Sequence, residues 1–399
     1  MMKKNLLAAF IAAVLLSFSA EAQQALWGAQ QIISPQVNAD NTVTFRIDAV
    51  NADTVQVVGD FTPKKKMKTP FGEFEVAGPA NLEKGADGIW SYTSEALPSD
   101  LYTYNIIVDG FKSTDPNNVY MIRDVSSVFS IFIVPGDKGN LYSVKDVPHG
   151  TVARRWYDSP GNEMTRRMTI YTPPGYENSK ESYPVLYLLH GMGGDEEAWI
   201  NYGRTSQIMD NLIAQGKATP MIVVMTNGNV AQSAAPGESS LGFEKPNMML
   251  PHTMDGKFEE TFPEVIKFIE SNYRVKTDKA DRAIAGLSMG GFHSLHISRY
   301  YPNTFDYVGL FSAAILPNEG VKSALYEDFD GTLKAQMDNG YKLYWIGMGK
   351  SDFLYKSGVD FRAKLDSMGM KYTYMETEGG HTWTNWRVYL SEFAPQLFK

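Results

Sequence analysis

The chain reads Arg282-Ala283-Ile284-Ala285-Gly286-Leu287-Ser288-Met289-Gly290-Gly291 where an apolar run gives way to a helical pattern. A strand, a tight turn with small residues around a serine, and a helix in this order form a nucleophile elbow, which holds the serine hydroxyl above the strand end. A glycine-rich turn that merely closes a strand–helix unit is the alternative. Because both the strand and the helix are present, the pattern favours Ser288 as a nucleophile.

Apolar segments alternate with amphipathic ones on both sides of this motif. The pattern predicts strands at 152–156, 168–171, 185–189, 221–225, 283–285, 307–311, 343–346 and 372–375, the first two joined by a turn at 159–162. It predicts helices at 206–214, 258–272, 290–300, 361–368 and 386–398. Apolar strands separated by helices indicate a mostly parallel sheet covered on both faces, so the fold class is α/β.

The front of the chain has a different periodicity. Short alternating segments, separated by Gly, Pro, Asn and Asp, predict strands near 43–45, 55–58, 89–92, 101–108 and 128–134. Short strands at this spacing are typical of an antiparallel β-sandwich. The character changes after the Gly-rich segment 135–139, which predicts a sandwich domain at 23–140 and a second domain at 141–399.

The first 22 residues look like a secretory signal peptide. Lys3 and Lys4 precede an apolar run at 6–16, and Ala20-Glu21-Ala22 fits a cleavage site. The run is too short to span a membrane comfortably. We therefore expect a bacterial periplasmic or secreted protein, cut near Ala22, with no membrane segment after cleavage.

Composition excludes several kinds of function. The 399 residues include no cysteine, which excludes disulfides, thiol chemistry and thiolate metal sites. The formal net charge of −8 disfavours a nucleic-acid partner. The one basic cluster, Lys64-Lys65-Lys66 with Lys68, is interpreted as a solvated loop.

A serine nucleophile needs a base, and an acid that orients the base. Of six histidines, His381 lies in a Gly-rich loop between the last predicted strand and the last helix, where its ring could reach Ser288. His293 and His296 fall on the helix that begins at the elbow. Asp352 follows the predicted strand at 343–346, at the same sheet edge as Ser288. The order Ser288, Asp352, His381 is the order of α/β-hydrolase triads.

An ester hydrolase also needs N–H donors for the developing oxyanion. The N–H of Met289 follows the nucleophile directly. The second donor is expected in the loop Leu188-Leu189-His190-Gly191-Met192-Gly193-Gly194, with Met192 preferred and Gly193 the alternative. His190 is interpreted as a structural hydrogen-bonding residue. The sequence shows no paired metal-ligand spacing and no phosphate loop, so neither a metal nor a cofactor is expected.

The segment 229–257 shows no periodicity. A loop this long is typically functional or disordered. Met248 and Met249 lie in it, and they could form an adaptable apolar wall for an aromatic acyl group. A surface loop that packs on the sheet edge is the equal alternative. Trp199 and Trp383 are further candidate substrate contacts, although core packing explains them as well.

Three motifs together resemble the esterase-D-like α/β-hydrolases, which include the feruloyl and acetyl-xylan esterases of carbohydrate esterase family 1. These motifs are Tyr171-Thr172-Pro173-Pro174-Gly175-Tyr176, Leu188-Leu189-His190-Gly191 and Ala285-Gly286-Leu287-Ser288-Met289-Gly290-Gly291. The resemblance covers about 150–399 and implies Asp352 and His381 as acid and base.

The front domain resembles early-set modules of carbohydrate-binding module family 48, through Gly88-Ile89-Trp90-Ser91, Leu101-Tyr102-Thr103-Tyr104 and Val108-Asp109-Gly110. Aromatic residues in these strands are expected mostly to fill the sandwich core, which disfavours sugar binding. The alternative role for this domain is a scaffold that shapes the active-site rim.

The combined resemblance implies an exported serine esterase that releases hydroxycinnamates such as ferulate from plant xylan, with a feruloylated or acetylated polysaccharide or oligosaccharide as its partner. An acetyl-xylan esterase and an enterochelin-type siderophore esterase are alternatives that use the same chemistry. A carbohydrate-binding protein without activity is the third hypothesis, which the intact Ser288, Asp352 and His381 disfavour.

Overall fold

The computed structural model describes residues 32–69 and 72–399. The predicted signal peptide at 1–22 lies outside the described residues. Within the described ranges, no helix has both the length and the apolar character needed to cross a membrane.

The front domain is a sandwich of two antiparallel sheets, as the sequence predicts. Its strands are β1 (Gln36–Val37), β2 (Val43–Asp48), β3 (Val55–Gly59), β4 (Lys64–Thr69), β5 (Gly72–Ala77), β6 (Ala80–Asn81), β7 (Glu83–Lys84), β8 (Ile89–Thr93), β9 (Asp100–Val108), β10 (Phe111–Ser113), β11 (Met121–Asp124) and β12 (Ser127–Val134). One sheet has the strand order β1-β2-β8-β7. The other has the order β11-β12-β9-β3-β6, with β10 paired to β9.

Aromatic side chains fill the space between the two sheets. Phe45 and Trp90 belong to the first sheet, and Tyr104 and Phe132 belong to the second; all four lie in one buried cluster. The ring centroids of Phe45 and Tyr104 are 4.9 Å apart in an edge-to-face arrangement. Alternation along each strand thus turns large apolar residues inward, as expected for a sandwich.

The lysine cluster does not form the predicted loop. Lys64 to Lys68 lie in β4, which pairs antiparallel with β5 as a separate two-stranded sheet. The side chains from Lys64 to Lys68 are all exposed. Because neither face of this part of β4 is buried, its sequence lacks the apolar alternation by which strands are recognised.

The second domain is built on an eight-stranded sheet. Its strands are β13 (Thr151–Ser159), β14 (Met164–Thr172), β15 (Val185–Leu189), β16 (Ile222–Thr226), β17 (Arg282–Leu287), β18 (Tyr307–Phe311), β19 (Leu343–Gly349) and β20 (Thr373–Thr377). The strand order is β13-β14-β16-β15-β17-β18-β19-β20. The pairs β13–β14 and β14–β16 are antiparallel, and all other pairs are parallel. The carboxyl ends of β15 to β20 therefore share one edge.

Helices connect these strands and cover both faces of the sheet. They are α1 (Asp137–Tyr142), α2 (Ala198–Asn201), α3 (Thr205–Ala214), α4 (Lys257–Asn272), α5 (Met289–Tyr300), α6 (Phe329–Asn339), α7 (Tyr355–Met368) and α8 (Trp383–Phe393). Alternate residues of each central strand belong to one or the other of two large apolar clusters, one for each face. The α/β fold class is thereby confirmed.

Three of the helices, α1, α2 and α6, were not predicted. Helix α6 buries only Leu333 and Gln336, so its sequence shows almost no apolar stripe. The other helices follow the predicted ones, although α7 begins six residues before the predicted 361 and α8 ends five residues before the predicted 398.

Helix α1 links the two domains. The last sandwich strand ends at Val134 and the first strand of the second domain begins at Thr151, so the predicted boundary at 140 falls inside α1. The side-chain amide of Asn211, on α3, donates hydrogen bonds to the carbonyls of Leu141 (2.8 Å) and Ser143 (2.9 Å). This anchor fixes the link against the second domain.

Candidate active site

Ser288 occupies a strained turn between β17 and α5. Its backbone has φ 52° and ψ −113°. A non-glycine residue in such a sparsely populated region costs about 1–3 kcal/mol, and strain of this kind is concentrated at active sites. The turn is held by hydrogen bonds from the Ser288 N–H to the Phe311 carbonyl (2.9 Å), and from the Ala314 N–H to the Ser288 carbonyl (3.2 Å). The Ser288 residue itself is only partly buried.

The glycines around the serine are required by close approaches of the backbone. A Cβ atom added at Gly290 would lie 2.3 Å from the carbonyl oxygen of Leu189. At Gly286 it would lie 2.4 Å from the backbone of Gly290, and at Gly291 it would lie 2.5 Å from the Cβ of Ala313. The glycine spacing that flags the motif therefore has a steric cause in this structure.

His381 and Asp352 form a hydrogen-bonded pair. The Nδ1 atom of His381 lies 3.0 Å and 2.9 Å from the two carboxylate oxygens of Asp352. The Asp352 carboxylate is fully buried, and its Oδ1 also accepts a hydrogen bond from the Leu354 N–H (2.8 Å). Since a carboxylate accepts from Nδ1–H, the proton of a neutral His381 resides on Nδ1, which leaves Nε2 free to act as a base.

Sheet topology brings this pair to the edge that carries Ser288. Strands β17, β18, β19 and β20 are successive parallel neighbours, and Ser288, Asp352 and His381 follow β17, β19 and β20. The hydrogen bonds of the described residues include none between Ser288 Oγ and His381 Nε2. Catalytic hydrogen bonds in unliganded enzymes are often long and tighten when substrate binds.

Two aromatic rings hold the imidazole of His381. The ring of Trp386 meets it edge-on, with centroids 5.0 Å apart and an interplanar angle of 89°. The ring of Phe353 lies 4.5 Å away at an angle of 49° and is 55% exposed. Sequence reasoning did not select Phe353, although its position directly after the candidate acid was an available signal.

The candidate oxyanion-hole residues lie together beside the serine. Met289 is the first residue of α5, so its N–H has no partner within the helix. Met192 packs against the buried cluster that contains Met289 and Phe292. A Cβ added at Gly191 would lie 3.3 Å from the Cβ of Ser288, which places the 190–194 loop next to Ser288. This placement is compatible with both predicted donors.

His190 holds the 190–194 loop in place through hydrogen bonds at both of its ring nitrogens. The Gly228 N–H donates to its Nε2 (2.7 Å), so Nδ1 carries the proton and donates to the Gly191 carbonyl (2.7 Å). Burial lowers the pKa of His190 to about 4. A ring that is neutral at pH 7 and engaged at both nitrogens has a structural role, as predicted.

The histidines of α5 are occupied inside the molecule. His293 is buried, with Nδ1 2.8 Å from a carboxylate oxygen of Glu259. His296 is buried with Nε2 3.0 Å from the Ile315 carbonyl, and burial, aided by the charge of a neighbouring arginine, lowers its pKa well below the usual value. His252 is exposed in the long loop. His381 follows a strand of the edge that carries Ser288, and, unlike His190 at the same edge, its Nε2 makes no hydrogen bond among the described residues.

The segment 227–256 contains no helix or strand, as the sequence predicts. Its start is fixed by the buried Arg166, which donates to two loop carbonyls. Farther along, Met248 and Met249 are each about half exposed. A Cβ added at Gly193 would lie 2.7 Å from the Met248 sulfur, so Met248 lies against the loop that carries Met192. The proposed acyl wall at Met248 and Met249 remains a prediction.

The two tryptophans proposed as substrate contacts are core residues instead. Trp199 is 1% exposed, and its indole N–H donates to the Leu189 carbonyl (2.8 Å). Trp383 is 7% exposed and packs on Trp199 and Tyr202, with centroids 5.2 Å and 4.9 Å apart. Neither ring offers a free face to a substrate, so this prediction is wrong: their position near the motifs did not show which way they point.

Comparison with known proteins places the chain among esterases. The esterase family model, described as "Putative esterase", matches residues 159–397. The endo-1,4-beta-xylanase/feruloyl esterase of Xylanibacter ruminicola is 29% identical over 377 residues, which cover 92% of this chain and 46% of that protein. The chain spans about half the length of the curated relatives it matches first.

Two solved structures are similar in fold. A ferulic acid esterase is 28% identical, with a TM-score of 0.51 over 62% of this chain and 97% of that chain. The enterobactin esterase FES of Shigella flexneri is 15% identical and shares the fold across both domains, with a TM-score of 0.60 over 94% of this chain and 98% of that chain. Because the family model spans more than half of the sequence and includes Ser288, Asp352 and His381, the chain belongs to the esterase family of α/β-hydrolases.

Proposed function

We propose that this protein is a serine carboxylic ester hydrolase that releases hydroxycinnamates such as ferulate from plant xylan. The observation that carries the proposal is the strained Ser288, with φ 52°, at the sheet edge that also presents the Asp352–His381 pair. The similarity to a xylanase/feruloyl esterase over nearly the whole chain supports the choice of substrate.

In the proposed reaction, each residue of the site has a defined role. Ser288 Oγ attacks the ester carbonyl while His381 Nε2 accepts its proton, and the buried Asp352 stabilises the imidazolium. The N–H groups of Met289 and Met192 stabilise the tetrahedral oxyanion. His381 then protonates the leaving sugar alcohol, and water, deprotonated by the same ring, hydrolyses the acyl-enzyme.

The surroundings of His381 and of the 190–194 loop favour an aromatic acyl group. Phe353 and Met248 are large, apolar and about half exposed, at 55% and 51%. An aromatic ring gains by covering such surface, whereas an acetyl group would leave most of it in water. The proposal includes export to the periplasm or the medium, where the polysaccharide is found.

An enterochelin-type siderophore esterase is the second candidate. One observation favours it: the enterobactin esterase of Shigella flexneri is similar in fold over 94% of this chain, a range that includes parts of both domains. At 15% identity this similarity concerns the fold alone. A catecholate triester carries an aromatic acyl group too, so only a direct assay separates the two substrates.

Hydrolysis by the purified mature protein tests the proposal, with Ser288→Ala as the matched control. The substrates are methyl ferulate, feruloylated arabinoxylan, 4-nitrophenyl acetate and enterobactin. We expect ferulate release from both feruloyl substrates, and none from the variant. Cleavage of enterobactin alone, or of the acetyl ester alone, would contradict the hydroxycinnamate substrate. Ferulate release that survives in Ser288→Ala would contradict the mechanism.

A further inference from the structure

The β11–β12 hairpin of the front domain reaches the catalytic edge of the second domain. Asp124 pairs with Ser127, so Val125 and Ser126 form a two-residue turn. Val125 has φ 51°, a left-handed conformation in which a β-branched residue is a genuine outlier. A Cβ added at Gly193 would lie 2.9 Å and 3.1 Å from the two γ-methyl carbons of Val125. The strained turn therefore rests directly on the loop that carries Met192.

An ion pair fastens the hairpin to the same loop. The Arg123 guanidinium contacts the Asp195 carboxylate, whose side chain is only 2% exposed. Arg123 also donates to the carbonyl of Val125 (3.1 Å), and Asp195 accepts from the Glu197 N–H (3.0 Å). Asp195 follows Met192 by three residues and lies directly after the 190–194 loop. The ion pair therefore fixes the position of the end of this loop.

A second contact leads to the catalytic histidine. The carboxylate of Asp124 lies close to the indole of Trp383: burial raises the pKa of this carboxyl, and the neighbouring indole N–H opposes that shift. Trp383 begins α8 and packs edge-to-face on Trp386, with centroids 5.3 Å apart. Trp386 in turn meets the ring of His381 at 5.0 Å. Two aromatic rings thus connect Asp124 with His381, which lies more than 250 residues later in the sequence.

We propose that Arg123 and Asp124, both in the front domain, are positioning residues for the reaction. They hold the 190–194 loop, which carries Met192, and the loop that carries His381 in fixed positions relative to each other. This inference rests on the proposed ester hydrolysis at Ser288. Neither residue touches the reacting atoms. The hairpin sets the distance between the 190–194 loop and the loop that carries His381, and both loops must act on one carbonyl group. Small displacements of catalytic groups lower the reaction rate strongly. The front domain is accordingly part of the catalytic unit and not an independent appendage.

The test uses the full mature chain and 4-nitrophenyl acetate, because this substrate is too small to depend on a remote binding surface. The variants are Arg123→Ala, Asp124→Ala and Asp124→Asn. Ser126→Ala, at the exposed tip of the same turn, is the matched control. We expect each of the two charge-to-alanine variants to lower kcat about tenfold, with KM nearly unchanged, since the lost geometry serves the transition state. Asp124→Asn retains an acceptor for the Trp383 indole and should keep most of the kcat.

Titration of active sites with a fluorophosphonate normalises kcat to the folded, competent fraction. Unchanged kcat in both alanine variants would overturn the proposal, as would equal losses in Asp124→Ala and Asp124→Asn, or a change in KM alone. The low-field proton resonance of the His381–Asp352 hydrogen bond gives a readout that needs no turnover. We expect it to shift or broaden in Asp124→Ala but not in Ser126→Ala. If the wild-type protein hydrolyses no ester, the proposed function fails, and this resonance still decides the positioning role.

Discussion

Replacing Gly290 by alanine tests the geometry of the nucleophile elbow. The new Cβ would lie 2.3 Å from the Leu189 carbonyl oxygen and 2.6 Å from the His190 carbonyl oxygen. Both are backbone atoms, so no side chain can rotate away. A carbon atom rests no closer than about 3.3 Å to such an oxygen, so the strand end and helix α5 must separate by about 1 Å.

That displacement moves Ser288 relative to the Met192 loop. A misplacement of about 1 Å in a catalytic group costs about 100-fold in rate, so kcat should fall by about that factor. Overpacking should also lower the free energy of unfolding by about 1–3 kcal/mol. The assay is 4-nitrophenyl acetate hydrolysis, normalised to folded protein, together with urea denaturation.

Gly358→Ala is the matched control, because Gly358 also lies in a helix, α7, away from the elbow. Its added Cβ would meet only the side chain of Met348, and the close contact, at 2.8 Å, is with the terminal methyl, the flexible end of that side chain. We expect this variant to fold, because alanine is a better helix former than glycine by about 1 kcal/mol and the methionine side chain can move. Its kcat should therefore be unchanged. If Gly290→Ala folds and retains wild-type kcat, the steric account of the elbow is refuted.

Three further predictions concern the acid, the buried imidazole and the acyl wall. Asp352→Asn should lower kcat by about 10³–10⁴-fold with little change in KM, because the amide favours the wrong tautomer of His381; a loss below tenfold would contradict the assignment. The pKa of His190 is lowered to about 4, so this ring stabilises the fold fully above pH 6.5, and the contribution is lost as pH falls toward 4. Relative to His190→Asn, the wild-type advantage in unfolding free energy should shrink by about 3 kcal/mol across this window, measured by urea denaturation, and a constant difference would contradict the burial argument. Met248→Ala should lower kcat/KM for methyl ferulate about tenfold while sparing 4-nitrophenyl acetate, and equal effects on both substrates would exclude an acyl wall.

Much of the second domain was predictable because its strands are continuous apolar runs. The segments 185–189 and 307–311 were predicted with their observed bounds, since fully buried strands leave a clear signal. Helix α6 and strand β4 were not predicted, because each buries little and so carries no periodic pattern. Local periodicity reports burial, and it fails where an element is mostly exposed.

The candidate site, too, was predictable from the sequence only in part. Ser288 could be selected because its glycine neighbours are required by local sterics, and Asp352 and His381 because they follow strands of the same edge. The contact of Asp124 with Trp383 was not predictable, since it joins two domains across more than 250 residues and depends on how they dock. The inward direction of the Trp199 side chain was not predictable either, because a tryptophan near a catalytic motif is as consistent with core packing as with a substrate contact.

The central claim is that Ser288 is a nucleophile activated by the Asp352–His381 pair. Diethyl 4-nitrophenyl phosphate reacts covalently with such a serine, and peptide mass spectrometry locates the adduct. We predict a single adduct on Ser288 in the wild-type protein, none in Ser288→Ala, and much slower labelling in His381→Ala. An adduct on another residue, or labelling of Ser288 at the same rate without His381, would contradict the account.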